Sequence, residues 1–205
     1  MNTKAIAAII VFAALAIALE PIRIPLYFWP GQFYRLWELP VIIAFFLFGF
    51  KVGFSVAILD ALGYIGLFPD AAGFLGPPWR LVVMLSVFLG LLLAFKFINM
   101  RKPNQQNRWK KPVLIFTLFA IISRTAMMPF VDYGVYRFLL PFVIGRPIPD
   151  AYILGLMPAI VFFNITVPLY IVPVAYLVAK TAGTNLGIGN KLQTPIAEDA
   201  DQKPS

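Results

Sequence analysis

Apolar residues gather in six runs along this chain, about Ala5–Leu19, Leu39–Phe50, Val52–Phe68, Pro78–Ile98, Pro112–Phe130 and Tyr152–Ala179. Polar, Pro-bearing or Gly-bearing breaks separate them. Each run is read as a helix. The second is short: twelve helical residues rise only about 18 Å, against a hydrocarbon core of roughly 30 Å. Fusing the second and third runs through Lys51 would give a helix of about 45 Å, too long without strong tilt. Gly49 and Gly53 instead flank a tight hairpin at Lys51.

Composition turns these helices into membrane helices. Of the 205 residues, 60% are hydrophobic and mean hydropathy is +0.83. A soluble domain is about half apolar, so lipid must receive the excess. The 20 Phe suit broad lipid-facing and packing surfaces. The expected fold is therefore an all-α integral membrane protein, a compact bundle of six transmembrane helices spanning residues 1–181. A polar tail, 182–205, with Gly183, Gly187, Gly189, Pro195, Glu198, Asp199 and Asp201, is expected to be disordered.

Charge supplies the orientation. The net charge is +8, and Arg101, Lys102, Arg108, Lys110 and Lys111 crowd one polar segment that also holds Pro103. The positive-inside rule places that segment in the cytoplasm. Only an even number of spans puts Lys4, Lys51, the basic segment and Lys180 on one side, so both termini are expected in the cytoplasm of a multi-pass cell-membrane protein. Lys4, the first run and Ala16-Ile17-Ala18 also have the form of a cleaved signal peptide, but five remaining spans would upset this balance. The same basic balance carries no nucleic-acid module, so no nucleic-acid partner is expected. The opposite side then receives Glu20–Glu38, Pro69–Pro77 and Val131–Ala151, read as connecting segments, two of them long for a small bundle.

Cysteine and histidine are both absent. Thiolate nucleophiles, disulfides, His-based acid–base catalysis and the usual metal ligands go with them. No catalytic residues, metal or cofactor are expected, and the chain is read as not an enzyme. An intramembrane enzyme acting on a lipid would need clustered acids, whereas the acids here are single and separated. A membrane structural or assembly protein without a small ligand is the other alternative.

Two charges fall deep in apolar runs, Asp60 and Arg124. Each costs roughly 2.5–3.5 kcal/mol at the bilayer centre. Counting from the cytoplasmic ends, they lie about 12 and 18 Å up, within reach of an arginine side chain. They are expected to face the interior and to pair, directly or through another polar group. Asn164 lies at the same depth in the last run. Toward the outer face stand Glu38, Trp79, Arg80, Asp132, Tyr133 and Arg137. Rings to stack on, with a few buried hydrogen-bonding groups, are what a planar polar ligand requires. The expected pocket has Asp60, Arg124 and Asn164 as its floor and Glu38, Tyr64, Trp79 and Tyr133 as its walls. In the first run Ala14 and Ala18 stand i, i+4, a spacing that lets another helix approach closely.

These residues carry a resemblance. Glu38-Leu39-Pro40, Gly49-Phe50-Lys51-Val52-Gly53 and Asp60, with the alanine-rich first run, resemble the substrate-binding S components of energy-coupling factor (ECF) transporters. The stretch Arg124-Thr125 to Asp132-Tyr133, followed by a helix with Asn164, resembles the riboflavin-binding members. The resemblance covers nearly all of residues 5–180. It implies a membrane subunit of an ATP-driven importer that binds a vitamin, riboflavin or a related small polar ring compound, from outside. It also implies docking through the Ala14/Ala18 face on a transmembrane coupling subunit served by two ATPase subunits.

Overall fold

The computed structural model describes residues 3–25, 33–67, 75–100 and 112–185. The basic segment 101–111, and with it the sidedness read from it, lies outside the described residues, as does the tail from 186 onward.

Helices α1 (Thr3–Leu19), α2 (Glu38–Phe48), α3 (Phe50–Leu67), α4 (Gly76–Asn99), α5 (Pro112–Gly134), α6 (Leu140–Ile144) and α7 (Asp150–Asn185) dominate the chain. A π-helical turn, Val135–Leu139, joins α5 to α6. Between α1 and α2 a small antiparallel hairpin pairs β1 (Arg23–Pro25) with β2 (Phe33–Arg35), Ile24 opposite Tyr34. The hydrophobic pattern gave no hint of this hairpin, because three-residue strands are too short to show a period.

Four stretches are long and apolar enough to cross a membrane: Phe50–Leu67, Gly76–Asn99, Pro112–Ile144 and Asp150–Thr184. Their outward positions are apolar, including Leu62, Leu89, Leu118 and Leu169. Water would penalise such a surface and lipid does not. The chain is a multi-pass membrane protein. Helices α1 and α2 are apolar but shorter, 17 and 11 residues. Helix α2 survives in a bundle of longer helices because protein surrounds it. Val41 through Leu47 are all buried, and α1, α3 and α7 pack around it.

The hairpin expected at Lys51 is present, and two glycines make it. Gly49 ends α2 with φ 89°, a conformation side chains disfavour. A Cβ on Gly53 would lie 2.8 Å from Cβ of Phe45, so only glycine lets α3 start so close to α2. Below this turn the second half of the bundle is filled with rings. Phe45 stacks on Phe88 at 5.1 Å, Phe95 meets Phe116 at 4.6 Å, and Phe46 and Tyr176 close around Phe116 at 5.3 and 5.7 Å. These rings form an aromatic cluster joining α2, α4, α5 and α7.

The structure corrects one boundary that matters for function. The segment Val131–Ala151, expected as a long loop, is helical through Ile144, and only residues 145–149 connect it to α7. Asp132-Tyr133-Gly134 reads as a break in sequence, yet the helix continues by widening into the π turn. Pro141 then falls in the first turn of α6, where its missing N–H leaves no bond unmade. Internal prolines at 129, 158, 168 and 173 are likewise carried within α5 and α7. Helix α7 also runs four residues past the expected end of the bundle at 181, to Asn185.

Candidate functional site

The buried charged groups lie apart from the aromatic cluster, among the described residues. Burying a charge requires a partner, and each buried charge here finds a different solution.

Arg80, in the first turns of α4, is 3% exposed. Its Nη2 donates to Oδ2 of Asp60 on α3 at 2.7 Å, and its Nε reaches the same oxygen at 3.2 Å. Its Nη1 donates to Glu20, just past α1, at 3.0 Å. Arg35 of β2 donates to the other Glu20 oxygen at 2.7 Å. The Arg80 guanidinium also lies 3.8 Å from the centre of a Trp37 ring and 4.4 Å from that of Tyr64. Planarity and delocalised charge let one arginine serve two carboxylates and two aromatic rings at once. One side chain thus ties α1, α3, α4 and the approach to α2 together.

Arg124, on α5, is 1% exposed and makes a second cluster. It forks onto Glu38 of α2 at 2.6 and 3.1 Å, while its Nε donates to the Asn164 oxygen on α7 at 2.9 Å. The Asn164 amide nitrogen in turn donates to the Ile160 carbonyl at 2.9 Å. A third contact joins α4 to α5, where Trp79 Nε1 donates to Oδ1 of Asp132 at 2.8 Å.

The expected Asp60–Arg124 pair does not form. Both residues are interior, but α3 packs chiefly on α1, α2 and α4, and α5 chiefly on α4 and α7. Equal depth is not adjacency. Asp60 therefore meets Arg80, the cation on its neighbouring helix, and Arg124 meets Glu38 and Asn164. Oδ1 of Asp60 is left buried without a hydrogen-bond partner.

Between these clusters lies a partly enclosed cavity of about 240 Å³. Glu38, Tyr64, Trp79, Arg80 and Asp132, all singled out in the sequence, line it. Asp60, Arg124 and Asn164, expected as its floor, are not among its lining residues. They stand behind Arg80 and Glu38 and hold those side chains in place. Tyr133, expected as a wall, does not line it either; Tyr136 does. Asp132, Val135, Tyr136 and Leu140 recur at helical spacing on one face, and Tyr133, about 100° round from Asp132, faces elsewhere. Arg137 pairs with Asp150 at 3.1 Å on the exposed surface.

Several members went unread in the sequence: Glu20, Arg35, Trp37, Tyr136 and Phe163. Glu20 did carry a signal. A carboxylate at the C-terminal end of an apolar helix opposes the helix dipole and needs nearby cations. Trp37 and Arg35 carried none, since their roles depend on the hairpin.

Ala14 and Ala18 are exposed on α1, whereas Ala13 and Ala16 are buried against the bundle.

Among solved structures the chain is similar to one described as "Structure and mechanism of the S component of a bacterial ECF transporter". The TM-score is 0.64 and the identity 24%, over 91% of this chain and 99% of that one. At that identity the likeness is one of fold. No protein-family model matches the chain, and no curated protein sequence matches it.

Proposed function

We propose that this chain is the membrane-embedded substrate-binding subunit of an ATP-driven micronutrient importer. The cavity carries the reading. It combines aromatic side chains with fixed hydrogen-bonding groups in a partly enclosed space, which is the make-up of a small-molecule binding site. A volume of about 240 Å³ suits one compact ring system. The sequence resemblance and the shared fold favour a vitamin-type compound, with riboflavin as the first ligand to try. Binding, not catalysis, is the proposed role.

The test begins with the full chain purified from membranes in mild detergent, and mass spectrometry of whatever it releases. A polar ring compound is expected, and a yellow preparation would indicate a flavin. Trp79→Ala, which removes one ring wall and the donor to Asp132, is expected to weaken that ligand about tenfold with a small change in melting temperature. A parent protein that releases nothing and binds no vitamin-sized ring compound would overturn the proposal in favour of an assembly role.

We propose further that α1 presents Ala14 and Ala18 to a transmembrane coupling subunit driven by two ATPases. Small side chains on an exposed helix face let a second helix come close. Ala14→Trp is expected to abolish co-purification with the coupling subunit while ligand affinity stays within about twofold of the parent. If Ala14→Trp still co-purifies as the parent does, that face is not the docking surface.

A further inference from the structure

Among the described residues the buried charges at the cavity do not balance. Four carboxylates, Glu20, Glu38, Asp60 and Asp132, are each at most 7% exposed. Three guanidiniums pair with them, Arg35, Arg80 and Arg124, while Arg23 stands at the exposed strand β1, 5.9 Å from the ring centre of Phe33. Arg80 is taken by Glu20 and Asp60, Arg35 by Glu20, and Arg124 forks onto Glu38. Asp132 is left over. It forms no ion pair among the described residues; the neutral indole N–H of Trp79 donates to it at 2.8 Å, and the Asn164 amide adds a second hydrogen-bonding interaction. The Arg124 charge also acts on it, but Arg124 forks onto Glu38. Asp132 lines the cavity.

The rings around it point the same way. Tyr136, one turn on, and Phe163 and Trp79 line the cavity with Asp132. An aromatic wall presents the negative face of its π system to a bound charge, and desolvation strengthens that attraction. The protein already uses this chemistry nearby, with Arg80 between Trp37 and Tyr64. An unpaired carboxylate among aromatic rings is a receptor for a cation. A neutral ring would leave the buried carboxylate hydrogen-bonded but without an ion-pair partner, a costlier state than a paired one.

We infer that the ligand of this cavity is a positively charged, planar nitrogen heterocycle, of the pyridinium, thiazolium or amidinium kind, whose charge lies against Asp132 between Trp79 and Tyr136. The inference rests on the reading of the cavity as a binding site and narrows it. It places a neutral flavin second.

The experiment uses 1-methylnicotinamide, a fixed cation, and nicotinamide, its neutral analogue of nearly the same shape, with riboflavin as a larger neutral ring. Each is titrated by calorimetry into the full chain in detergent, and into Asp132→Asn with its fold checked by melting. The cation is expected to bind about 10- to 150-fold more tightly than nicotinamide, the range for a hydrogen bond or contact to a charged partner. Asp132→Asn keeps an oxygen for the Trp79 indole and is expected to erase that preference. Should nicotinamide or riboflavin bind as tightly as the cation, the charge assignment is wrong while the binding site stands. A preference that persists in Asp132→Asn also overturns it, because the selectivity then arises elsewhere. If none of the three binds, the inference and the proposed site fall together. Where Asp132→Asn does not fold, Tyr136→Leu replaces it. Loss of the ring face is then expected to narrow the cation's advantage, and an unchanged advantage counts against the assignment.

Discussion

Arg80→Ala is expected to lower stability by about 3–5 kcal/mol, the range for removing one partner of a buried ion pair. Two carboxylates, Glu20 and Asp60, would lose their shared cation while remaining almost fully buried. The loss of stacking between Trp37 and Tyr64 adds to the cost. Domains of this kind are marginally stable, so a change of that size decides whether the protein can be purified at all. Thermal melting in detergent is the measurement. Arg80→Lys restores charge but not the planar fork, and is expected to recover only part of the loss. Adding Glu20→Gln and Asp60→Asn to Arg80→Met should recover more, because no buried charge is then orphaned. A melting temperature for Arg80→Ala within a degree or two of the parent would show that the cluster is solvated and holds nothing together.

Arg124→Ala is the second large effect, again about 3–5 kcal/mol. Its fork onto Glu38 and its bond to Asn164 join α5 to α2 and α7 from a position 1% exposed. A double-mutant cycle with Glu38→Gln separates the pair from the rest. The two single changes are expected to cost more together than the double change does, because each alone strands the other group. Arg124 does not line the cavity, so any loss of ligand affinity must pass through the displaced Glu38. Arg124→Gln, which can still bond Asn164, should therefore retain more binding than Arg124→Ala at similar Glu38 exposure. Simple additivity in the cycle would mean that Glu38 and Arg124 are not coupled, contrary to the 2.6 Å contact.

Much of this protein follows from its sequence alone. Long apolar runs in a chain with no other large hydrophobic sink can only be membrane helices, since backbone and side chains obey the same solvent preference wherever they lie. The Gly49–Gly53 hairpin was readable because a glycine pair beside a lone lysine interrupts an apolar run. Asp60, Arg124 and Asn164 stood out because polar groups deep in such runs are costly and must be interior, and Arg80 and Asp132 because they stand with aromatic residues toward one face. These are one-dimensional constraints, and composition and spacing carry them.

Partnership was decided only by the folded bundle. Asp60 and Arg124 matched in depth, but depth is measured along the helices and pairing is decided around them, by which helices abut. With α4 between α3 and α5, Arg80 took Asp60, and Arg124 turned to Glu38 and Asn164. The same angular coordinate put Tyr136 on the cavity and turned Tyr133 away, and it depended on a helix that continued through Gly134 where the sequence reads as a loop. Arg35 and Trp37 joined the site because a hairpin of two three-residue strands precedes α2 and brings Arg35 to Glu20, a contact between distant residues that no local pattern encodes. Hydrophobicity determined which residues would be inside. Helix rotation and neighbour order determined what each of them would meet there.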